Sequence, residues 1–105
     1  MSSDLNQIAD MQQMICTNVA ALLPIPDVAE GIKTPERVIL QALSTNTAPI
    51  FVKDKNDVDV GGTTGGHELP AGSNMVLPLT GGEYGLYYAI ASAGSQALQV
   101  TYLAV

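Results

Sequence analysis

His67 is the single histidine of the 105-residue chain, and it stands beside Glu68 in the string GGHELPAG. A histidine–carboxylate pair can move protons near neutral pH. Catalysis also needs a nucleophile or an oriented substrate site, and no serine or cysteine is spaced to partner the pair. Adjacent residues on a strand point to opposite faces, which separates His67 from Glu68. One histidine and one cysteine do not make a zinc site. Asp54, Asn56, Asp57 and Asp59 resemble the opening of a calcium loop, but Val58, Asp59 and Gly65 stand where an EF-hand needs a ligand, a glycine and a glutamate. They read as a solvated turn. GGTTGG (61–66) lacks the Lys-Ser/Thr ending of a phosphate cradle, and no helix follows it. Cys16 lies between Ile15 and Thr17, which offer nothing to activate a thiol, so it reads as a small buried hydrophobe. The expectation is a protein that is not an enzyme, with no catalytic residue, cofactor or metal.

Composition points to binding instead. Hydrophobic residues make up 47% of the chain and charged residues only 13%, against about 25% charged in typical domains. Such a surface loses little hydration when a partner covers it. The net charge of −6 argues against nucleic acid, because an acidic chain gains nothing from displacing phosphate counterions. The four basic residues, Lys33, Arg37, Lys53 and Lys55, form no patch. MSSDLNQIAD opens with an acid where a secretory signal carries bases. Residues 84–105 are uncharged, but Ser92, Gly94, Ser95, Gln96 and Gln99 break them up, so they read as strands and a turn and no membrane partner is expected.

The elements that would carry a binding surface are mostly short strands. Ser3 can cap a helix, Asp4 suits its first turn, and Leu5, Ile8, Met11 and Ile15 recur at helical spacing. That pattern favours a short amphipathic helix or docking arm, and CTNVAALLPI (16–25) reads as a first strand. Residues 26–36 form a loop, and RVILQAL (37–43) a buried strand. PIFVK (49–53) and NMVLPL (74–79) are further strands, Pro78 marking the second as an edge or bulge. DVDV (57–60) alternates like a short edge strand. YGLYYAIA (84–91) and ALQVTYLAV (97–105) alternate cleanly across SAGSQ and read as a β-hairpin. Six or seven short strands imply an all-β fold: a small antiparallel β-sandwich or jelly-roll-like domain over residues 25–105, with an N-terminal arm at 1–24.

The last third of the chain narrows the function. From Leu69 to Val105 the only charged residue is Glu83. A hairpin with one wet face normally carries charge there, so both faces are expected to be covered, one by the core and one by a neighbouring subunit. Tyr84, Tyr87, Ala89, Gln99, Thr101 and Leu103 are the expected interface, and Leu5, Ile8, Met11 and Ile15 the docking face of the arm. A homo-oligomer follows, and a ring-like trimer suits it.

Residues 36–105 also resemble small β-sandwich structural proteins of tailed bacteriophages. The shared pattern begins with V-x-L-Q-A (Val38 to Ala42) running into an N-T turn at Asn46–Thr47 and a short I-F-V strand (50–52). It continues through a Gly-rich loop to L-P-A-G-S (69–73) and closes on L-Y-Y-A-I-A (86–91) and V-T-Y-L-A-V (100–105). The resemblance implies a virion protein made in a bacterial cytoplasm, of the decoration or cement type, whose partner is the major capsid protein. A tail- or head-fibre component is an alternative. A carbohydrate-binding sandwich using Tyr84, Tyr87 and Tyr88 is a further one, because sugars stack on aromatic platforms.

Overall fold

The computed structural model describes residues 7–27, 35–59, 65–79 and 87–104. They form eight strands: β1 (Gln7–Cys16), β2 (Ala21–Leu22), β3 (Arg37–Ala42), β4 (Ile50–Lys53), β5 (His67–Leu69), β6 (Asn74–Pro78), β7 (Tyr88–Ala91) and β8 (Gln96–Ala104). Two four-stranded antiparallel sheets result, ordered β1-β8-β3-β6 and β2-β7-β4-β5. Apart from β4 to β5, every connection crosses from one sheet to the other. The expected all-β sandwich is the fold, and its strand order is that of a jelly roll.

The core follows from period-two alternation. Val38, Leu40 and Ala42 of β3 and Leu98, Val100 and Tyr102 of β8 point inward and are fully buried. Ile50 and Val52 of β4 and Ala89 and Ala91 of β7 meet them from the other sheet. The small alanines of β7 let the sheets approach where β3 and β8 contribute larger side chains. The Tyr102 hydroxyl, carried into this interior, donates to the Pro24 carbonyl.

Three sequence expectations change. Residues 7–16 are a strand and not a helix, and β1 is no detached arm, since it pairs with β8 from Gln7 to Cys16. A register shift between Ile8 and Asp10 marks a bulge, which brings Ile8 and Met11 to one face although they are three apart. Ser3, Asp4 and Leu5 lie outside the described residues. Second, β7 and β8 are not a hairpin. β7 pairs with β2 and β4, β8 with β1 and β3, and residues 92–95 carry the chain between sheets. Gly94 makes this corner with φ +58°, a left-handed conformation that side chains resist. Third, Asp57–Asp59 is not a strand; Val58 is instead folded onto the second sheet.

The corner is pinned by a buried amide. The Gln96 Oε1 accepts from the Thr47 and Ala48 backbone N–H groups at 2.9 and 3.3 Å. Its Nε2 donates to the Ala93 carbonyl at 2.7 Å and to Thr47 Oγ1 at 3.2 Å. Asn46 adds a reciprocal pair with the Ala97 backbone at 2.8 and 2.9 Å. The polar STNTA turn is thereby locked to the start of β8. Gln96→Ala would leave the Thr47 and Ala48 N–H groups and the Ala93 carbonyl without this partner and remove hydrogen bonds worth about 1 kcal/mol each. The expected loss is about 2–3 kcal/mol in urea unfolding, with a melting point lower by roughly 10–15 °C for a domain of this size.

Candidate functional site

The outer faces of the two sheets are treated differently. On the β2-β7-β4-β5 sheet, Phe51 and Ile90 would face water, but Val58 folds over them, with Ala20 and Tyr88 alongside, as a second small core. The chain reaches this position through a turn held by the Lys53–Asp57 ion pair at 2.7 Å, which keeps the Asp57 carboxyl below its usual range. Gly66 permits the close approach: a Cβ there would meet Val58 Cγ2 at 3.1 Å. The protein covers this face with its own residues.

The β1-β8-β3-β6 sheet has no such cover among the described residues. Its registers place outward side chains in rows across the strands. One row is Met11, Thr101, Ile39 and Val76. The next is a run of amides, Gln13, Gln99, Gln41 and Asn74. Beyond them lie Ile15 with Ala97, and at the opposite end Ile8, Leu103, Arg37 and Pro78. Ile8, Met11, Ile15 and Val76 are each more than half exposed. Arg37 is the one charged side chain of these rows. The face is therefore apolar and amide in alternate bands, on a molecule that carries −6 overall. Isolated exposed hydrophobics are normal, and it is the contiguity of this set and its freedom from carboxylates that make it the candidate site.

The structure sorts the expected interface residues. Ile8, Met11 and Ile15 share this face with Gln99 and Thr101, so residues assigned separately to an arm and to a C-terminal hairpin form one surface; Leu103 lies on the same side of β8 but is buried. Ala89 does not belong to it: its Cβ points into the core and it is fully buried. Tyr87 also lies elsewhere, packed against the main core with its hydroxyl donating to the Pro78 carbonyl at 2.7 Å. Burial, aided by Asp54, raises that hydroxyl above its usual value, so it stays a donor. Leu5 and Tyr84 are outside the described residues. Gln13, Ile39, Gln41, Asn74 and Val76 were not anticipated as surface residues. For the residues of β3 and β6 the signal was the alternation within RVILQA and NMVLP, which turns Arg37, Ile39, Gln41, Asn74 and Val76 outward.

Chemistry elsewhere is sparse. His67 and Glu68 are both exposed on β5. A cleft of about 280 Å³ runs beside β5, lined by His67, Lys53, Asp54, Met75, Leu77 and Tyr87 among others, slightly below the usual range of ligand pockets, which starts near ~300 Å³. Tyr87 and Tyr88 pack against different clusters and form no shared aromatic platform. Among the described residues, no three His, Cys, Asp or Glu side chains gather as a metal site. No helix among them is long and apolar enough to cross a membrane.

The comparisons add no family. No protein-family model matches the chain, and neither a curated protein nor a solved structure is significantly similar to it.

Cys16, the last residue of β1, points into the core, and burial pushes its thiol up to about 11 from 9.0. Below both values this leaves roughly a hundredfold less thiolate than an ordinary thiol. A disulfide reagent in mildly alkaline buffer is expected to label native protein at least about a hundredfold more slowly than protein in concentrated urea. Because the folded value is the higher, the neutral thiol's contribution to stability is complete below pH 9.0 and is lost as pH rises towards about 11.

Proposed function

We propose that this protein is a virion structural protein that binds a protein surface, as a decoration or cement subunit does the major capsid protein. The observation that carries the reading is the carboxylate-free outer face of the β1-β8-β3-β6 sheet, left open among the described residues while Val58 and its turn cover Phe51 and Ile90 on the opposite face. An apolar and amide surface gives up little hydration on burial and can match a flat protein partner. The pattern shared with phage structural proteins over residues 36–105 supplies the kind of partner. The fold itself carries no chemistry of that kind, since sandwiches serve many functions. A tail- or head-fibre position uses the same surface. A carbohydrate-binding role draws no support from Tyr87 and Tyr88, which are turned to different sides of the sheet.

The test is retention on purified particles of the virion concerned, stripped of this protein and then incubated with it. Val76→Glu and Gln99→Glu each place a carboxylate on the open face without touching the core. Both are expected to reduce co-sedimentation with the particles at least tenfold. Ala71→Glu, in the exposed turn before β6, is expected to bind like the parent protein. Equal binding by all three variants would overturn the reading.

A further inference from the structure

We infer that the free edge of β1 is where a second copy of this chain joins, making one continuous eight-stranded sheet across a two-fold axis. Of the four sheet edges, three are guarded. β2 has two residues and β5 three, with His67 and Glu68 on the latter, and β6 has five and ends in Pro78, which cannot donate. β1 is ten residues long and pairs on one side only; its bulge and the inward Asp10 guard its start, but from Met11 to Cys16 it holds no proline, charge or bulge. Among the described residues, no backbone bond reaches its other side. The nearby segment at Ile25–Asp27 is held through the inward-facing side chains of Gln12 and Asp10, at 2.9 Å each, and so lies beneath the strand. An unguarded stretch of this kind, centred near Gln13, is a template for strand addition.

The strand's own sequence selects the occupant. Two copies related by a two-fold perpendicular to the sheet pair residues of the same facing, so their numbers sum to an even value. A sum of 26 centres the axis on Gln13. It sets Met11 against Ile15 of the second copy on the outer face, and Gln13 against its own counterpart. On that outer face, moving the axis to Gln12 sets Met11 against Gln13, and moving it to Met14 sets Ile15 against Gln13, so only the Gln13 axis matches apolar with apolar and amide with amide. In the Gln13-centred register the two Asp10 carboxylates, the only charges on β1, lie about 20 Å apart along the strands, well beyond the screening length of about 8 Å at physiological salt. Copies that each carry −6 would meet on a strand that holds a single carboxylate. The amide row from Asn74 to Gln13 then continues into the partner's row, and the open faces of both copies become one platform. This isologous pair replaces the ring of three that composition favoured.

Gln13→Lys sets two lysines opposite each other, their Cβ atoms about 5 Å apart, so that like charges repel across the seam. The same substitution at Gln41, on the same row but away from the edge, is the control. Sedimentation equilibrium is expected to show a dimer for the parent and Gln41→Lys, and self-association at least tenfold weaker for Gln13→Lys. Gln13→Cys is expected to give a covalent dimer on mild oxidation, since paired strands bring Cα atoms within disulfide range, while Gln41→Cys stays monomeric in denaturing gels. A parent protein that remains monomeric, or lysines at 13 and 41 that act alike, would overturn the inference. Particle retention is read separately, so a monomer that still binds through the open face would remove the dimer and leave the proposed function standing.

Discussion

Strand β8 sits between β1 and β3, and its alternation allows only one register. Leu98, Val100 and Tyr102 must face the opposite sheet, and they are fully buried there. A slip of one residue would bring Gln99 and Thr101 into the core and put the large apolar side chains in water. At about 25 cal/mol per Å² of apolar surface, that exchange exceeds anything the turns could offset. With β8 fixed, the registers of β1 and β3 follow, and through β3 that of β6. The rows of the outer face are thus a consequence of core packing. The same pairing that buries Leu98 and Val100 lines up Gln13, Gln99 and Gln41 on the other side.

The two sheets then meet different fates. β4 and β7 place Phe51 and Ile90 outward, and the chain spends a turn, an ion pair and a close-fitting glycine to cover them. No comparable device is seen over Met11, Ile39 and Val76 among the described residues. A domain of this size has limited capacity to bury surface, and the contiguous uncovered apolar set is what the proposed function would bury. Low charge density, the open face and the unguarded stretch of the β1 edge all belong to one sheet. That coincidence is why assembly, and not chemistry, organises the functional reading.

Much of the fold was legible. β3, β4, β6 and β8 were found close to their observed limits, because alternation and flanking Pro, Gly and polar turns mark strands well. Pro78 correctly placed β6 at an edge. β1 was not legible, for a specific reason. Ile8, Met11 and Ile15 have helical spacing, and a bulge near Asp10 followed by a regular stretch brings the same three to one strand face. Spacing alone cannot separate these cases. The β7–β8 hairpin failed for another reason: alternation tells which face a residue takes, not which strand lies beside it. A short Gly-containing link fits a hairpin and a sheet-to-sheet corner alike, and the Gln96 anchor that decides the matter joins residues about fifty apart. The binding face was seen only in halves, since it needed β1, β3, β6 and β8 brought side by side.

The account rests on the β1-β8-β3-β6 face being the one that docks. Hydroxyl-radical footprinting of the protein, free and bound to particles, reads this directly, because Met11 and Ile15 are reactive and exposed in the free molecule. The account predicts that Met11, Ile15 and Val76 become protected on binding while His67 and Lys55 keep their free-state reactivity. Protection of His67 and Lys55 with Met11 and Val76 unchanged would contradict it.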